Sequence, residues 1–306
     1  MVPRVARFRG ALLGLAVCDA LGTAVEFQSP GSFAPVTEMT GGGAFRLQPG
    51  QWTDDTSMAL CLAESLIECR GFNPRDQMER YVRWWRHGDW SSTGHCFDIG
   101  TTVSAALRRF ESTADPFSGS TDPRAAGNGS LMRLAPVPMW WAGDEVQAVH
   151  EAARCSRTTH GAPACVDACR YFAAILCGAL RACSKEELLA PQYWRHGPLM
   201  SRIEEIRQGS FLRKEPPAIR GTGYVVESLE AVLWAFAKST NFEDGALLAV
   251  NLGDDADTTG AIYGQIAGAY YGEEGIPERW RAVLHRGKEI AAMAERLGSS
   301  KTPGTA

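Results

Sequence analysis

Apolar residues recur at intervals of three and four along almost the whole chain. GALLGLAVCDALG (10–22), MALCLAESLIEC (58–69) and YFAAILCGAL (171–180) are representative stretches. That period places them on one side of a helix or all around a buried one. It predicts helices over roughly 4–27, 53–69, 74–87, 98–111, 130–141, 144–156, 163–183, 199–208, 222–238, 242–251, 257–272 and 277–297. Strict alternation is nearly absent. Tyr224–Val226 opens like a strand, but Leu229, Val232, Leu233 and Phe236 return to helical spacing. Glycine and proline punctuation (SPGSFAP, TGGG, PRAAGNGS, RKEPPAIRGTG) falls between these segments, and no stretch reads as an interdomain linker. The expected architecture is all-α: a compact orthogonal multi-helix bundle forming a single domain over 1–298, with 299–306 as a frayed tail. The loops at 28–52 and 112–129 are long for plain connections and call for a function.

Two polar clusters break this pattern at the starts of predicted helices, QWTDDTSMAL (51–60) and NLGDDADTTG (251–260). Helix capping is one reading, since Asp and Thr accept bonds from the free N–H groups of a first turn and carboxylates suit its positive end. Capping uses one or two side chains, whereas Asp254, Asp255 and Asp257 put three carboxylates in four positions, where like charges repel unless a cation sits among them. The second reading is therefore a cation site. Thr53, Asp54 and Asp55 with Asp255, Asp257 and Thr258 offer an oxygen shell suited to a hard divalent ion, and the lack of histidine ligands favours Mg²⁺ or Mn²⁺ over zinc.

Composition narrows the field further. A net charge of −4 over 306 residues argues against docking on a nucleic-acid backbone, which needs clustered Lys and Arg. The ten-residue apolar run 171–180 is short of the roughly 20 residues that cross a bilayer. MVPRVARFRG lacks a signal-peptide core, so a cytoplasmic protein without membrane contact is expected. The nine cysteines, an odd number placed mostly in apolar helical segments, read as reduced core residues. Cys165 and Cys169 share a helix face, but no second pair completes a zinc site. The chain carries no GxGxxG or Walker pattern, which excludes a Rossmann or P-loop reading.

Taken in order, GALLGLAVCDALGTAVEF (10–27), MTGGGAFRLQPGQWTDDTSMAL (39–60), DIGTT (98–102), AGNGSLMRLAP (126–136), RTTHGAP (157–163) and GDDADTTGAIYGQIAGAYYG (253–272) resemble the ADP-ribosylglycohydrolase family. Within it they are most similar to the dinitrogenase reductase-activating, arginine-directed branch. The resemblance spans nearly the whole chain. It implies an all-α bundle with a binuclear Mg²⁺ or Mn²⁺ cleft that hydrolyses the glycosidic bond joining ADP-ribose to a modified side chain. Thr53, Asp54, Asp55, Asp255, Asp257 and Thr258 would hold the two cations, with the two helix starts meeting at one cleft. Glu26, expected to end the first helix, and Asp98 would be catalytic beside Asp55. Glu26 would serve as base for the attacking water and Asp98 as acid or ribose orienter, or the two roles would be exchanged.

Gly100 and Thr101 would follow the ribose-side aspartate, with Thr101 standing where the closest branch carries Asn. Gly127, Asn128, Gly129 and Ser130 would form a diphosphate loop of closely approaching backbone. His160 and Tyr224 would lie near the bound nucleotide. A further departure is Asp254, where the family commonly has a second glycine. The implied substrate is an ADP-ribosylated protein, most simply at arginine, with ADP-ribose released. Alternatives are hydrolysis of O-linked or nucleic-acid-linked ADP-ribose, cleavage of the diphosphate by a binuclear phosphoesterase, or an immunity-type protein that occludes an ADP-ribosyltransferase toxin.

Overall fold

The structure, a computed structural model, describes residues 2–299; the remainder of the expected C-terminal tail, 300–306, lies outside them. Among these residues the chain forms fourteen α-helices and no strand, only isolated bridges. The helices are α1 (Arg4–Gly22), α2 (Asp54–Cys69), α3 (Pro74–His87), α4 (Thr101–Thr113), α5 (Pro136–Trp140), α6 (Glu145–Thr159), α7 (Pro163–Leu180), α8 (Lys185–Leu189), α9 (Ser201–Arg207), α10 (Val225–Lys238), α11 (Phe242–Val250), α12 (Ala256–Tyr271), α13 (Glu278–Val283) and α14 (Gly287–Ser299).

The centre of the bundle is an antiparallel pair, α1 and α12, in backbone contact. A Cβ added at Gly10 would lie 2.2 Å from the carbonyl oxygen of Gly268, one at Gly14 2.4 Å from that of Gly264, and one at Gly260 2.6 Å from that of Cys18. At the far end a Cβ on Gly22 would stand 2.5 Å from the Asp257 backbone. Glycines and small residues every four positions thus form a flat stripe on each helix, and only Gly lets two helix backbones approach this closely. Arg7 locks the other end. Its buried guanidinium donates from Nη1 to the carbonyls of Ala179, Ala269 and Tyr270, occupying acceptors that the last turns of α7 and α12 leave open. Around this pair, α7 is buried on nearly every face. It is an 18-residue helix, close to the 163–183 expected, and long and apolar enough to cross a membrane. Eighty-three per cent of it is nevertheless covered inside the protein, as in a core helix.

Several boundaries differ from the periodicity for local reasons. The first helix stops at Gly22 and not near 27, where Thr23 Oγ1 turns back onto the Ala20 carbonyl and Phe27 adopts a left-handed φ of 64°. The segment expected as a helix over 130–141 begins as tight turns, with Leu131 N–H donating to the Asn128 carbonyl, and only Pro136–Trp140 is helical. The last predicted helix divides at Leu284–Arg286, where His285 N–H donates to the Gly50 carbonyl. α8 was not expected; a Ser184–Glu187 capping box starts it. The cysteines are all free, and six of the nine are buried.

Gly264→Ala tests the central contact. Ala is intrinsically better than Gly in a helix by about 1 kcal/mol. Here the new methyl would meet the Gly14 carbonyl oxygen at 2.0 Å, so overpacking at or above the usual upper figure of about 3 kcal/mol decides the sign. Calorimetry should show Tm lowered by about 5 °C or more. Gly287→Ala, whose methyl finds nothing closer than 3.7 Å, should leave Tm unchanged or slightly raised. Equal effects of the two substitutions would contradict the packing account.

Candidate active site

The α1–α12 contact sets the C-terminus of α1 against the N-terminus of α12, and α2 brings its own N-terminus to the same point. Thr53 Oγ1 lies 3.0 Å from Asp55 Oδ2 and 3.1 Å from Asp257 Oδ2, and Thr258 Oγ1 lies 3.4 Å from Asp55 Oδ2. The two clusters, about 200 residues apart in sequence, are one cluster in space.

Capping does not account for it. Thr53 and Asp255 occupy the N-cap positions of α2 and α12, yet neither side chain makes a capping bond. Two N–H groups at the start of α2 are taken instead by Asp19 of α1. Its Oδ1 accepts from the N–H and hydroxyl of Thr53, and its Oδ2 from the N–H and hydroxyl of Thr56, all at 2.6–3.0 Å. Thr53 Oγ1 is therefore within hydrogen-bond distance of three carboxylates, Asp19, Asp55 and Asp257, but has one proton to give.

Two acidic triads emerge, Asp19–Asp55–Asp257 and Glu26–Asp255–Asp257, each with its oxygens within 4.8 Å of one another, and Asp257 belongs to both. Asp55 Oδ1, Asp257 Oδ1 and Glu26 Oε2 are buried with no hydrogen-bond partner. A buried carboxylate oxygen without a donor is costly unless a cation meets it, so these residues fit a hard metal. Asp19 already accepts four hydrogen bonds, which makes it the support that aims Thr53 and α2.

Burial raises every carboxyl here, and at Glu26, Asp54, Asp55 and Asp257 neighbouring negative charge adds to it. Asp55 and Asp257 are shifted well above the usual range. Glu26 is pushed up to about 10, by burial first and then by Asp98, Asp255 and Asp54. Asp98 rises to about 6 through burial, restrained by a hydrogen bond with Asp54, which is itself raised. Asp54 and Asp98 both line the cleft wall, while Asp55 is fully buried in the floor.

Above this floor lies a cleft of about 700 Å³ lined by Glu26, Phe27, Asp54, Asp98, Ile99, Gly100, Thr101, Gly127, Asn128, Gly129, His160, Asp255, Asp257 and Thr258, among others. Asn128 Nδ2 donates to Asp255 Oδ2 at 2.6 Å and to Ser228 Oγ at 3.0 Å, joining the glycine loop to the acidic cluster. His160 supports that loop from behind: a Cβ on Gly129 would meet its ring at 2.8 Å, so the backbone there sits directly on the imidazole. Burial, with the nearby Arg133 charge, lowers the His160 pKa to about 3 and keeps the ring neutral. Arg133, fully buried over the Tyr81 ring, donates to the Gly129 carbonyl at 2.7 Å and to Thr159 Oγ1 at 2.7 Å.

Two expected contacts fall elsewhere. Ser130 is turned into the core, fully buried against Ser156 Oγ at 2.9 Å, and holds the loop's base without lining the cleft. Tyr224 pairs with Gly127 through its backbone and faces a shallower depression of about 450 Å³ beside the cleft. Asp254 has φ 54°, a left-handed position that glycine favours, and its carboxylate pairs with Arg220 at 2.8 Å on the rim. Sequence reasoning missed Asp19 and Arg133. The signal was there in each case, a charged residue inside an otherwise apolar segment, CDALG and SLMRLAP.

Comparison with known proteins gives the family. The family model for ADP-ribosylglycohydrolase matches residues 2–305. A protein of Serratia proteamaculans (strain 568) named "ADP-ribosylarginine hydrolase Tri1" is 43% identical over 289 residues, covering 94% of this chain and 78% of its own length. The "ADP-ribosyl-(dinitrogen reductase) glycohydrolase" of Rhodospirillum rubrum is 33% identical over 290 residues, covering 91% of this chain and 90% of its own. The solved "ADP-ribosylglycohydrolase-related protein complex" superimposes with a TM-score of 0.88 at 47% identity, over 98% of this chain and 99% of that one. The chain belongs to the ADP-ribosylglycohydrolase family.

Proposed function

We propose that the protein hydrolyses the N-glycosidic bond of ADP-ribosylated arginine in proteins, releasing ADP-ribose. The observation that carries this reading is the pair of acidic triads sharing Asp257 at the floor of a cleft whose wall is the Asn128 loop. The relatives named for ADP-ribosylarginine hydrolysis support the choice of linkage, since they align with 94% and 95% of the chain at 43% identity.

Thr53, Asp54, Asp55, Asp255, Asp257 and Thr258 would hold two divalent cations, Mg²⁺ or Mn²⁺, with Glu26 at the edge of the second triad. Bound there, such ions supply charge neutralisation and Lewis-acid activation of water and of the ribose hydroxyls. The protein's own groups do the rest. The Gly127–Gly129 backbone lies against the diphosphate, and Asn128 ties its position to Asp255. Asp98, which lines the cleft with Asp54, orients the ribose. Glu26, whose Oε2 has no other partner, exchanges the proton of the attacking water as the anomeric carbon passes through an oxocarbenium-like state. The leaving guanidine needs less protonation than an alkoxide would, which suits a site with no strong dedicated acid.

Chelation with EDTA should abolish release of ADP-ribose from an ADP-ribosylarginine peptide, and Mg²⁺ or Mn²⁺ should restore it. Full activity in the chelated protein would refute the metal reading. Release from ADP-ribosylserine with none from arginine would refute the linkage alone.

Asp55→Ala should lower turnover by at least about a hundredfold and remove the thermal stabilisation by Mn²⁺. Its metal-free Tm should equal or exceed that of the wild type, because one of several repelling buried carboxyls is gone. A metal-free Asp55→Ala protein that unfolds well below the wild type would mark Asp55 as a fold residue.

The metal-free protein should also lose stability as pH rises. Asp19 and Asp98 are each raised to about 6 in the folded state. Their stabilising contribution is therefore complete below about pH 4 and lost as pH passes through 6. Melting curves in EDTA from pH 5 to 8 should show a falling Tm. The rise in Tm on adding Mn²⁺ should grow over the same window, as the cation displaces protons. A flat profile would contradict the crowding of these groups.

A further inference from the structure

Phe27 combines three features that the reaction described above does not use. It is a large aromatic residue 65% exposed to solvent, at the lip of the cleft. Its backbone is left-handed, φ 64°, which is strained for a bulky side chain. That conformation is held by a reciprocal backbone pair: Phe27 N–H donates to the Asp254 carbonyl and Asp254 N–H to the Gln28 carbonyl, both at 2.7 Å. An exposed ring gains little from burial, so packing offsets little of the strain the fold holds there.

The ring has company. Phe45, from the long 28–52 loop, meets it edge-on at 6.1 Å between centroids, and Phe97 lies 5.2 Å beyond Phe45. Phe27 directly follows Glu26 and Phe97 directly precedes Asp98, so each of the two wall carboxyls has an aromatic neighbour, and Phe45 joins the pair. The Asn128 loop lies elsewhere on the cleft wall. With ADP-ribose against that loop, the modified side chain of a protein substrate has to enter from solvent on the exposed side.

We propose that the Phe27–Phe45–Phe97 ridge receives the guanidinium of the modified arginine, with Phe27 as the residue that selects a planar cationic leaving group over a neutral one. This deepens the arginine reading above and rests on it. An aromatic face beside carboxylates suits a guanidinium, which stacks on rings and is weakly hydrated. A serine-linked substrate brings no cation to such a face.

The test compares Phe27→Leu, Phe27→Tyr and Phe27→Trp in the metal-loaded enzyme. Leu keeps an apolar side chain and removes the ring quadrupole, whereas Tyr and Trp keep it. Phe27→Leu should lower kcat/KM for an ADP-ribosylarginine peptide about tenfold. Phe27→Tyr and Phe27→Trp should stay within about threefold of wild type, and calorimetric affinity for ADP-ribose should be unchanged in all three. The inference falls if Phe27→Leu matches wild type, if Tyr and Trp lose as much as Leu, or if ADP-ribose affinity drops in step with kcat/KM. A wild-type enzyme that does not cleave the arginine peptide refutes the linkage reading, and this inference with it. One that cleaves it while Phe27→Leu behaves normally refutes this inference alone.

Discussion

Everything at the site depends on two helices touching through bare backbone. Because α1 and α12 carry glycine or another small residue at every fourth position of their shared stripe, they lie closer than side chains would allow, and their relative register is fixed along the whole stripe. The contact ends with Gly22 against Asp257. From there the chain has four residues in which to reach Glu26, while α12 has just begun with Asp255 and Asp257. A slip of one turn would separate the carboxylates by about 5 Å, enough to dissolve both triads. The packing of small residues at the centre of the bundle is thus what sets the distances between oxygens at its edge.

Holding these oxygens together works against stability. Asp19, Asp55 and Asp257 are essentially inaccessible; burial opposes the charge on all three, and neighbouring carboxylates add to it at Asp55 and Asp257. The fold offsets part of this with the positive ends of α2 and α12 and with the four donors gathered on Asp19. It leaves the remainder for a cation. An arrangement that only capped two helices would have turned Thr53 and Asp255 back onto their own first turns; both point outward to the cluster. Local rules fail here because a local benefit has been given up for a shared one.

That difference also explains what could be read from the sequence. The helices were legible because their apolar period is strong. The TDDT and GDDADTT clusters were legible because so many carboxylates at a helix start exceed what capping needs. Asp19 was not, since one aspartate in CDALG has no local pattern and its partners lie more than thirty residues on. The glycine stripes read as ordinary helix content, because close approach requires two helices and only one is visible at a time. The side-chain direction of Ser130 was hidden for a related reason: in GNGS it looks like part of a loop that faces a ligand, but the turn at Asn128–Leu131 rotates its hydroxyl inward toward Ser156. Asp254 looked like an extra carboxylate of unknown role. Its left-handed backbone and its pairing with Arg220 show a rim residue.

Rim and floor are in fact one mechanical unit. Residues 27 and 254, both left-handed, are joined by the reciprocal backbone bonds that run between 27, 28 and 254. Their immediate neighbours are Glu26 and Asp255, which share the second acidic triad. The backbone of Asp255 is therefore one residue from the bonds that hold Phe27, and Phe27 is one residue from Glu26. A second tie runs from Asp255 through Asn128 to the glycine loop, whose position the ring of His160 and the guanidinium of Arg133 fix from behind. Asp255 stands at the junction of all three: cluster, lip and loop. The helix that begins at this residue is α12, so the same backbone contact that sets the carboxylate distances also positions the two walls between which a substrate has to fit.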